Sequence, residues 1–239
     1  MEDYLKSVYH LLKETGGAYT NDLARLLGVS APTVTQMIKK LAEAKLVKHS
    51  PYKGFVLTPS GEKIALEVIR HHRLIERYLH EALGVPWDKV HEEADKWEHV
   101  ISEDVEKRMD EMLNYPTHDP HGSPIPSEEL VIEVEKLVPL SELGAGDRGV
   151  VREVPDEDPA LLNYLAELEL VPDTAFEVEK LEPFGGPIVL RIGSSSVTLG
   201  MEVASLVRTK VAGRAKGAKE KKVTRRTSAT KGSGEAGEA

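Results

Sequence analysis

The stretch TNDLARLLGVSAPTVTQMIKKL, residues 20–41, decides how the first sixty residues fold. Thr20 is placed to cap a short helix over NDLARLLG that Gly28 stops, and Ser30 to cap a third helix. Pro32 falls in the first turn of that helix, where a missing N–H is tolerated. Val34, Met37, Ile38 and Leu41 then face inward at spacings of three and four. Upstream, DYLKSVYHLLKE, residues 3–14, carries Leu5, Val8, Leu11 and Leu12 on one side and ends at Gly16 and Gly17. Three short helices with a tight turn between the second and third spell a helix-turn-helix. Downstream, KLVKHSPYKGFVLTPSG alternates apolar and polar residues around Pro-Tyr-Lys-Gly, which predicts a two-stranded wing.

In a helix-turn-helix the second helix enters the major groove, and its leading side chains reach base edges. Here those are Ser30, Ala31, Pro32, Thr33, Thr35 and Gln36. Gln36 suits a purine edge, and Ala31 and Pro32 suit thymine methyls. Thr33, Thr35, Lys39 and Lys40, with Lys53 on the wing, are placed for phosphates. The net charge of −9 hides a division that supports this reading. Residues 1–60 hold eight Lys/Arg against five Asp/Glu, residues 210–239 hold nine against three, and the middle of the chain is strongly acidic. A basic head on an acidic body fits a nucleic-acid reader joined to a cation site.

The cation site is sought in HEEADKWEH, residues 91–99. On a helix, His91, Asp95, Glu98 and His99 form one ridge, beside a core stripe of Trp87, Val90, Ala94, Trp97, Ile101 and Val105. Such a stripe is usually a solvated face. Against that stands a second helix, starting at Thr58 and Pro59, that sets His72 and Glu76 one turn apart. Imidazole with carboxylate suits borderline and hard divalent ions. The absence of cysteine excludes thiolate zinc fingers, iron–sulfur clusters and disulfides.

The helix of HEEADKWEH is expected to open at Pro86 and run to about Asn114, before the turn formers of YPTHDPHGSPIP, and SEELVIEVEK reads as a short helical stretch. From Pro139 the texture is β: GDRGVVREV, a helical ALLNYLAEL, then TAFEVEKLE, PIVLRIG, SSVTLG and EVASLVRT. A small, strongly bent barrel is expected, and after it a disordered basic tail over 210–239. The fold class is thus α+β, with a winged helix-turn-helix over 1–60, a helical domain over 61–136 and a Src-homology-3-like barrel over 137–209. With no long apolar run and no secretory leader, a soluble, cytoplasmic protein is the expectation.

The runs EDYLKSVY, VSAPTVTQMIKKL, HRLIER, HEEADKWEHVISEDVEKRM and HGSPIP closely resemble the diphtheria-toxin-repressor family of metal-dependent transcriptional repressors. They span residues 2–126, while 139–209, with ELELVPDTAFEV and EPFGGPIVLRI, resembles the barrel shared with FeoA-type iron-transport proteins. The resemblance implies a homodimer that binds double-stranded operator DNA only when loaded with a divalent ion, with no membrane and no small organic substrate as partner. It implies an ancillary site of His72, Glu76 and His91, to which Asp158 lies near a position supplied by the barrel in some members. It implies a primary site of Asp3, Asp95, Glu98 and His99.

Asp3 and Asp95 stand where iron-responsive actinobacterial members place methionine and cysteine, and Lys6 where manganese sensors place a further glutamate. Hard oxygen in place of sulfur puts Mn²⁺ slightly ahead of Fe²⁺, with Zn²⁺, Co²⁺ or Ni²⁺ as ions for binding in vitro. The competing expectation is a metal-dependent hydrolase using the His/carboxylate cluster, but HEEADKWEH lacks the HExxH spacing. His10, His49 and His80 read as plain histidines, and His118 and His121 as turn residues. Gly185 and Gly186 read as a turn, and Trp87 and Trp97 as core and dimer-interface residues.

Overall fold

A computed structural model of the chain describes residues 1–213; the basic tail expected over 210–239 lies, beyond residue 213, outside the described residues. The chain begins with α1 (Glu2–Glu14), α2 (Thr20–Leu26) and α3 (Ala31–Glu43), followed by the hairpin β1 (Val47–Ser50) and β2 (Gly54–Leu57). Thr20 is the first helical residue of α2, whose cap is Tyr19 with no side-chain bond, so the expected threonine cap is corrected. Ser30 does cap α3: its hydroxyl accepts from the Thr33 N–H at 3.3 Å. Leu5, Val8, Leu23, Val34, Ile38 and Leu41 close one core. The wing is fastened to it at Ala18, whose carbonyl accepts from the Phe55 N–H at 2.8 Å. That close approach needs Gly54, at φ +69°, because a Cβ there would lie 2.2 Å from the Ala18 oxygen.

Thr58 caps α4 (Pro59–Leu83), with its hydroxyl accepting from the Gly61 N–H at 3.1 Å. The first half of α4 packs Ala65 and Ile69 into the winged-helix core. Its second half packs Leu74, Ile75 and Leu79 against Val90, Ala94 and Met109. The single helix expected from Pro86 to about Asn114 is instead two: α5 (Val90–Trp97) and α6 (Glu103–Met112). α5 stops at Trp97, and Ser102, extended at φ −92°, ψ 154°, is the N-cap from which α6 starts. Of the expected core stripe beyond Ala94, Ile101 still packs on this core, while Trp97 and Val105 are exposed. Arg70 clamps α4 to α6, donating to Glu106 and Asp110 at 2.6 Å each and to the Pro126 carbonyl at 2.7 Å.

No helix forms over SEELVIEVEK, where Leu130 takes φ +60° and breaks any right-handed turn. Ile132 nonetheless packs on the winged-helix core. Beyond it lie β3 (Val138–Pro139), β4 (Arg148–Glu153), α7 (Pro159–Glu167), β5 (Ala175–Leu181), β6 (Ile188–Ile192), β7 (Ser195–Leu199), α8 (Met201–Leu206) and β8 (Arg208–Gly213). The strands form one antiparallel sheet in the order β3-β8-β4-β5-β6-β7, with register shifts in β4 and β5. Seven of the eight EVASLVRT positions therefore divide between a helix and a strand rather than extending one strand: EVASL is helical, and only RT lies in β8.

Val151, Leu162, Leu165, Phe176, Val178 and Leu190 build the sheet's core, and Trp87 from the helical part packs against it. The Val154 N–H donates to the His121 carbonyl at 3.0 Å, and the Ser123 hydroxyl to Glu153 at 2.8 Å, so the turn before residue 126 is stitched to β4. Among the described residues no helix is long and apolar enough to cross a membrane.

Candidate metal centre

The helical period of α4 puts His72 and Glu76 on one face, and both are buried. α5 lies against that face and brings His91 and Asp95, with Glu98 at its C-cap and His99 following. α1 crosses α4 and contributes Asp3 and Lys6 from its first turns. His72 is the hub. Its Nε2 lies 3.0 Å from Glu76 Oε1 and 3.1 Å from His91 Nδ1, and its Nδ1 lies 2.5 Å from Glu98 Oε2. His91 Nδ1 is also 3.2 Å from Glu76 Oε1, so the three residues expected at an ancillary site do converge.

The residues expected at a primary site converge less evenly. Asp3, Glu98 and His99 group together, with His99 Nε2 2.7 Å from Asp3 and 3.4 Å from Glu98. Asp95 groups instead with His72 and His91, at 3.4 and 3.9 Å. Lys6, which no ligand set included, reaches into the middle: its Nζ donates to both Glu98 oxygens at 2.9 Å and to Asp95 at 3.3 Å.

A third group was not legible as such. Glu76, Asp119, His121 and Asp156 offer donor atoms within 4.8 Å of one another. Among the described residues, the Oε2 of Glu76, the Oδ2 of Asp119 and the Nδ1 of His121 are buried without a hydrogen bond. His121 is held in place by its Nε2 on the Trp87 carbonyl at 2.8 Å. Asp158, expected near the ancillary site, is the N-cap of α7, accepting from the Ala160 and Leu161 N–H groups at 2.9 and 3.3 Å. The acid that faces the site is Asp156, 3.8 Å from His91. An Asp immediately before Pro is a helix-start signal, so the sequence held the means to separate the two.

Electrostatics follow from burial. Desolvation alone would raise the Glu76 carboxyl, but His121, His72 and His91 around it hold it well below the usual carboxylate range. Burial lowers His72, yet its bonds to Glu76 and Glu98 outweigh this and carry it up to about 9. His121 is likewise pulled down by burial and pushed up by Glu76, to about 9. Burial and the Glu76 charge raise Asp119 to about 7. Six carboxylates and four imidazoles, from α1, α4, α5, the turn at 119–121 and the segment before α7, thus gather into three groups whose members run from buried to exposed. Orphaned buried donor atoms of hard and borderline type fit a divalent cation of the Mn²⁺, Fe²⁺ or Zn²⁺ kind.

On the other face of the winged helix, Ser30, Pro32, Thr33, Thr35, Gln36, Lys39, Lys40 and Lys53 are exposed and Ala31 half-buried. The Ser30 and Thr33 hydroxyls pair at 2.8 Å, and Thr35 donates back to the Ala31 carbonyl at 3.0 Å. Gln36 and the lysines make no such local bond among the described residues.

Residues 1–55 match the N-terminal DNA-binding domain of the iron-dependent repressors, and 58–127 their metal-binding and dimerisation domain. Residues 138–211 match the FeoA domain. The iron-dependent repressor IdeR of Mycobacterium tuberculosis is 37% identical over 219 residues, covering 87% of this chain and 95% of that protein. The diphtheria toxin repressor of Corynebacterium diphtheriae is 36% identical over 146 residues, covering 61% of this chain and 59% of that protein. Among solved structures, a manganese-dependent transcriptional repressor in complex with manganese superposes with a TM-score of 0.80 at 35% identity, over 88% of this chain and 99% of that one. ScaR with bound Cd²⁺ gives 0.74 at 32%, over 87% and 98%. The chain belongs to the iron-dependent repressor family, also called the diphtheria-toxin-repressor family, in its form with a C-terminal FeoA domain.

Proposed function

We propose that this protein is a transcriptional repressor that binds operator DNA as a homodimer when loaded with Mn²⁺ or Fe²⁺, in the cytoplasm, and controls genes of metal homeostasis. The carrying observation is that α1, which belongs to the DNA-binding core, meets α4 and α5 through acids and imidazoles. Asp3, Glu98 and His99 would hold one ion, with Asp95 beside them. His72, Glu76 and His91 belong to the second centre, where Asp119, His121 and Asp156 complete the donors that Asp158 was expected to supply. An ion there supplies positive charge between carboxylates that otherwise repel.

Asp3 would then fix α1, and with it the recognition helix, relative to the dimer. Gln36 with Ser30, Ala31 and Pro32 reads bases, while Thr33, Thr35, Lys39, Lys40 and Lys53 meet phosphates. Divisions near residues 60, 136 and 209 separate reader, sensor and FeoA-like unit. The relatives are repressors, a family without enzymatic activity, and the hydrolase alternative has no support.

The test is fluorescence anisotropy of a duplex from the gene's own neighbourhood, at one fixed salt concentration, with Mn²⁺, anaerobic Fe²⁺, Zn²⁺ or chelator. Metal is expected to tighten binding and Glu98→Ala to abolish the gain. Equal binding in chelator contradicts the proposal.

A further inference from the structure

Lys6 in its charged form cannot be a ligand for a cation, yet it lies at the centre's heart. Its side chain is 19% exposed and reaches from α1 to a Glu98 carboxylate that is 1% exposed. The ammonium sits 2.9 Å from each Glu98 oxygen, 3.3 Å from Asp95 Oδ1 and 3.5 Å from His72 Nδ1. A surface ion pair would be worth little. This one is different because Glu98 is buried and needs a compensating charge, which Lys6 and His72 provide. Lys6 also ties α1 to α5 through the same acids expected to tie them when metal is bound.

We propose that Lys6 is a tethered cation that competes with the metal ion for Glu98 and Asp95, and so sets the metal concentration at which the repressor responds. The inference rests on the metal-dependent reading above. A lysine ammonium and a divalent ion cannot both lie against the Glu98 carboxylate without strong repulsion, since like charges at contact oppose each other in a poorly solvated site. The ammonium therefore leaves as the ion enters, still protonated, by rotation about its four-carbon stem toward solvent at the edge of α1. Breaking its contacts opposes metal binding, which raises the threshold. In the resting protein the same contacts keep α1 seated on α5.

The experiment uses the full chain as wild type, Lys6→Met, Lys6→Gln and Lys6→Arg. It reads two quantities: Mn²⁺ affinity by competition with a fluorescent chelator, and the melting temperature without metal. Lys6→Met is expected to bind Mn²⁺ about tenfold to a hundredfold more tightly, the loss of one charge-assisted bond to a buried carboxylate. It is also expected to melt at a lower temperature in the absence of metal. Lys6→Arg, which keeps the charge, should stay close to wild type in both. Should Lys6→Met not fold, Lys6→Gln carries the same expectation. A folded Lys6→Met or Lys6→Gln whose Mn²⁺ affinity equals or falls below wild type overturns the competitor role while leaving metal-dependent repression standing. A wild-type protein that binds no Mn²⁺ and no Fe²⁺ overturns both.

Discussion

His72 is the residue at which charge, burial and function meet. Its imidazole is surrounded by Glu76, Glu98 and Asp95, with His91 and Lys6 opposing them, and stays protonated up to about 9 in the folded chain against an ordinary 6.5. A folded-state value above the unfolded one stabilises the fold fully below pH 6.5, and the contribution is lost as pH rises toward about 9. Asp119, raised from 3.8 to about 7, works with the same sign over a lower window. The melting temperature of the metal-free protein should therefore fall relative to His72→Gln as pH climbs from 6.5 to about 9. Mn²⁺ affinity should rise over the same window if His72 is a ligand as proposed, since a ligand imidazole must shed its proton. A wild-type advantage that is flat in pH contradicts this.

Much of the centre was legible from helical spacing alone: His72 with Glu76, and His91 with Asp95 and Glu98, are one-turn pairs. His121 and Asp119 were not, because they lie two apart in a proline-rich turn and meet Glu76 only through the packing of that turn on α4. Lys6 read as a departure from a ligand pattern, and its bond to Glu98 spans 92 positions that no local rule connects.

At the scale of elements, α3 and α4 start where their caps required, because Ser30 and Thr58 act through local bonds, while the wing also needs Gly54 for its close approach to Ala18. The break between α5 and α6 leaves no mark in the sequence pattern, because apolar residues keep their spacing of three and four straight through it. The period belongs partly to the core and partly to an outer surface, and sequence spacing does not distinguish them. For α3 the expectation is concrete. Gln36→Ala should cost about 1–3 kcal/mol at one operator position and relax specificity there, measured against a panel of single-base variants. Lys39→Ala should weaken all sequences alike and reduce the salt slope of log affinity by about 1. A uniform loss from Gln36→Ala would place that side chain on the backbone instead.

The whole molecule joins a basic reader to an acidic sensor and a FeoA domain, and three exposed apolar side chains lie close in sequence at the helix break. Trp97, Val100 and Val105 are 37%, 79% and 44% exposed within nine residues of one another, in a domain matched to a dimerisation family. Exposed apolar clusters of this kind mark association sites. Val100→Asp should leave the melting temperature of the chain nearly unchanged, shift sedimentation toward monomer and weaken operator binding even with metal present. Dimers that persist in Val100→Asp would move the interface elsewhere.

The central claim is that one linked equilibrium connects the metal centre to the DNA surface. Linkage is reciprocal: if metal tightens duplex binding by some factor, the duplex must tighten metal binding by the same factor. The decisive measurement is Mn²⁺ affinity of the full chain, by chelator competition, with and without saturating operator duplex. A metal-gated repressor gives tighter Mn²⁺ binding on the duplex, by the factor seen for duplex affinity with metal, and no such gain in Glu98→Ala. Identical Mn²⁺ affinity on and off the operator would contradict it.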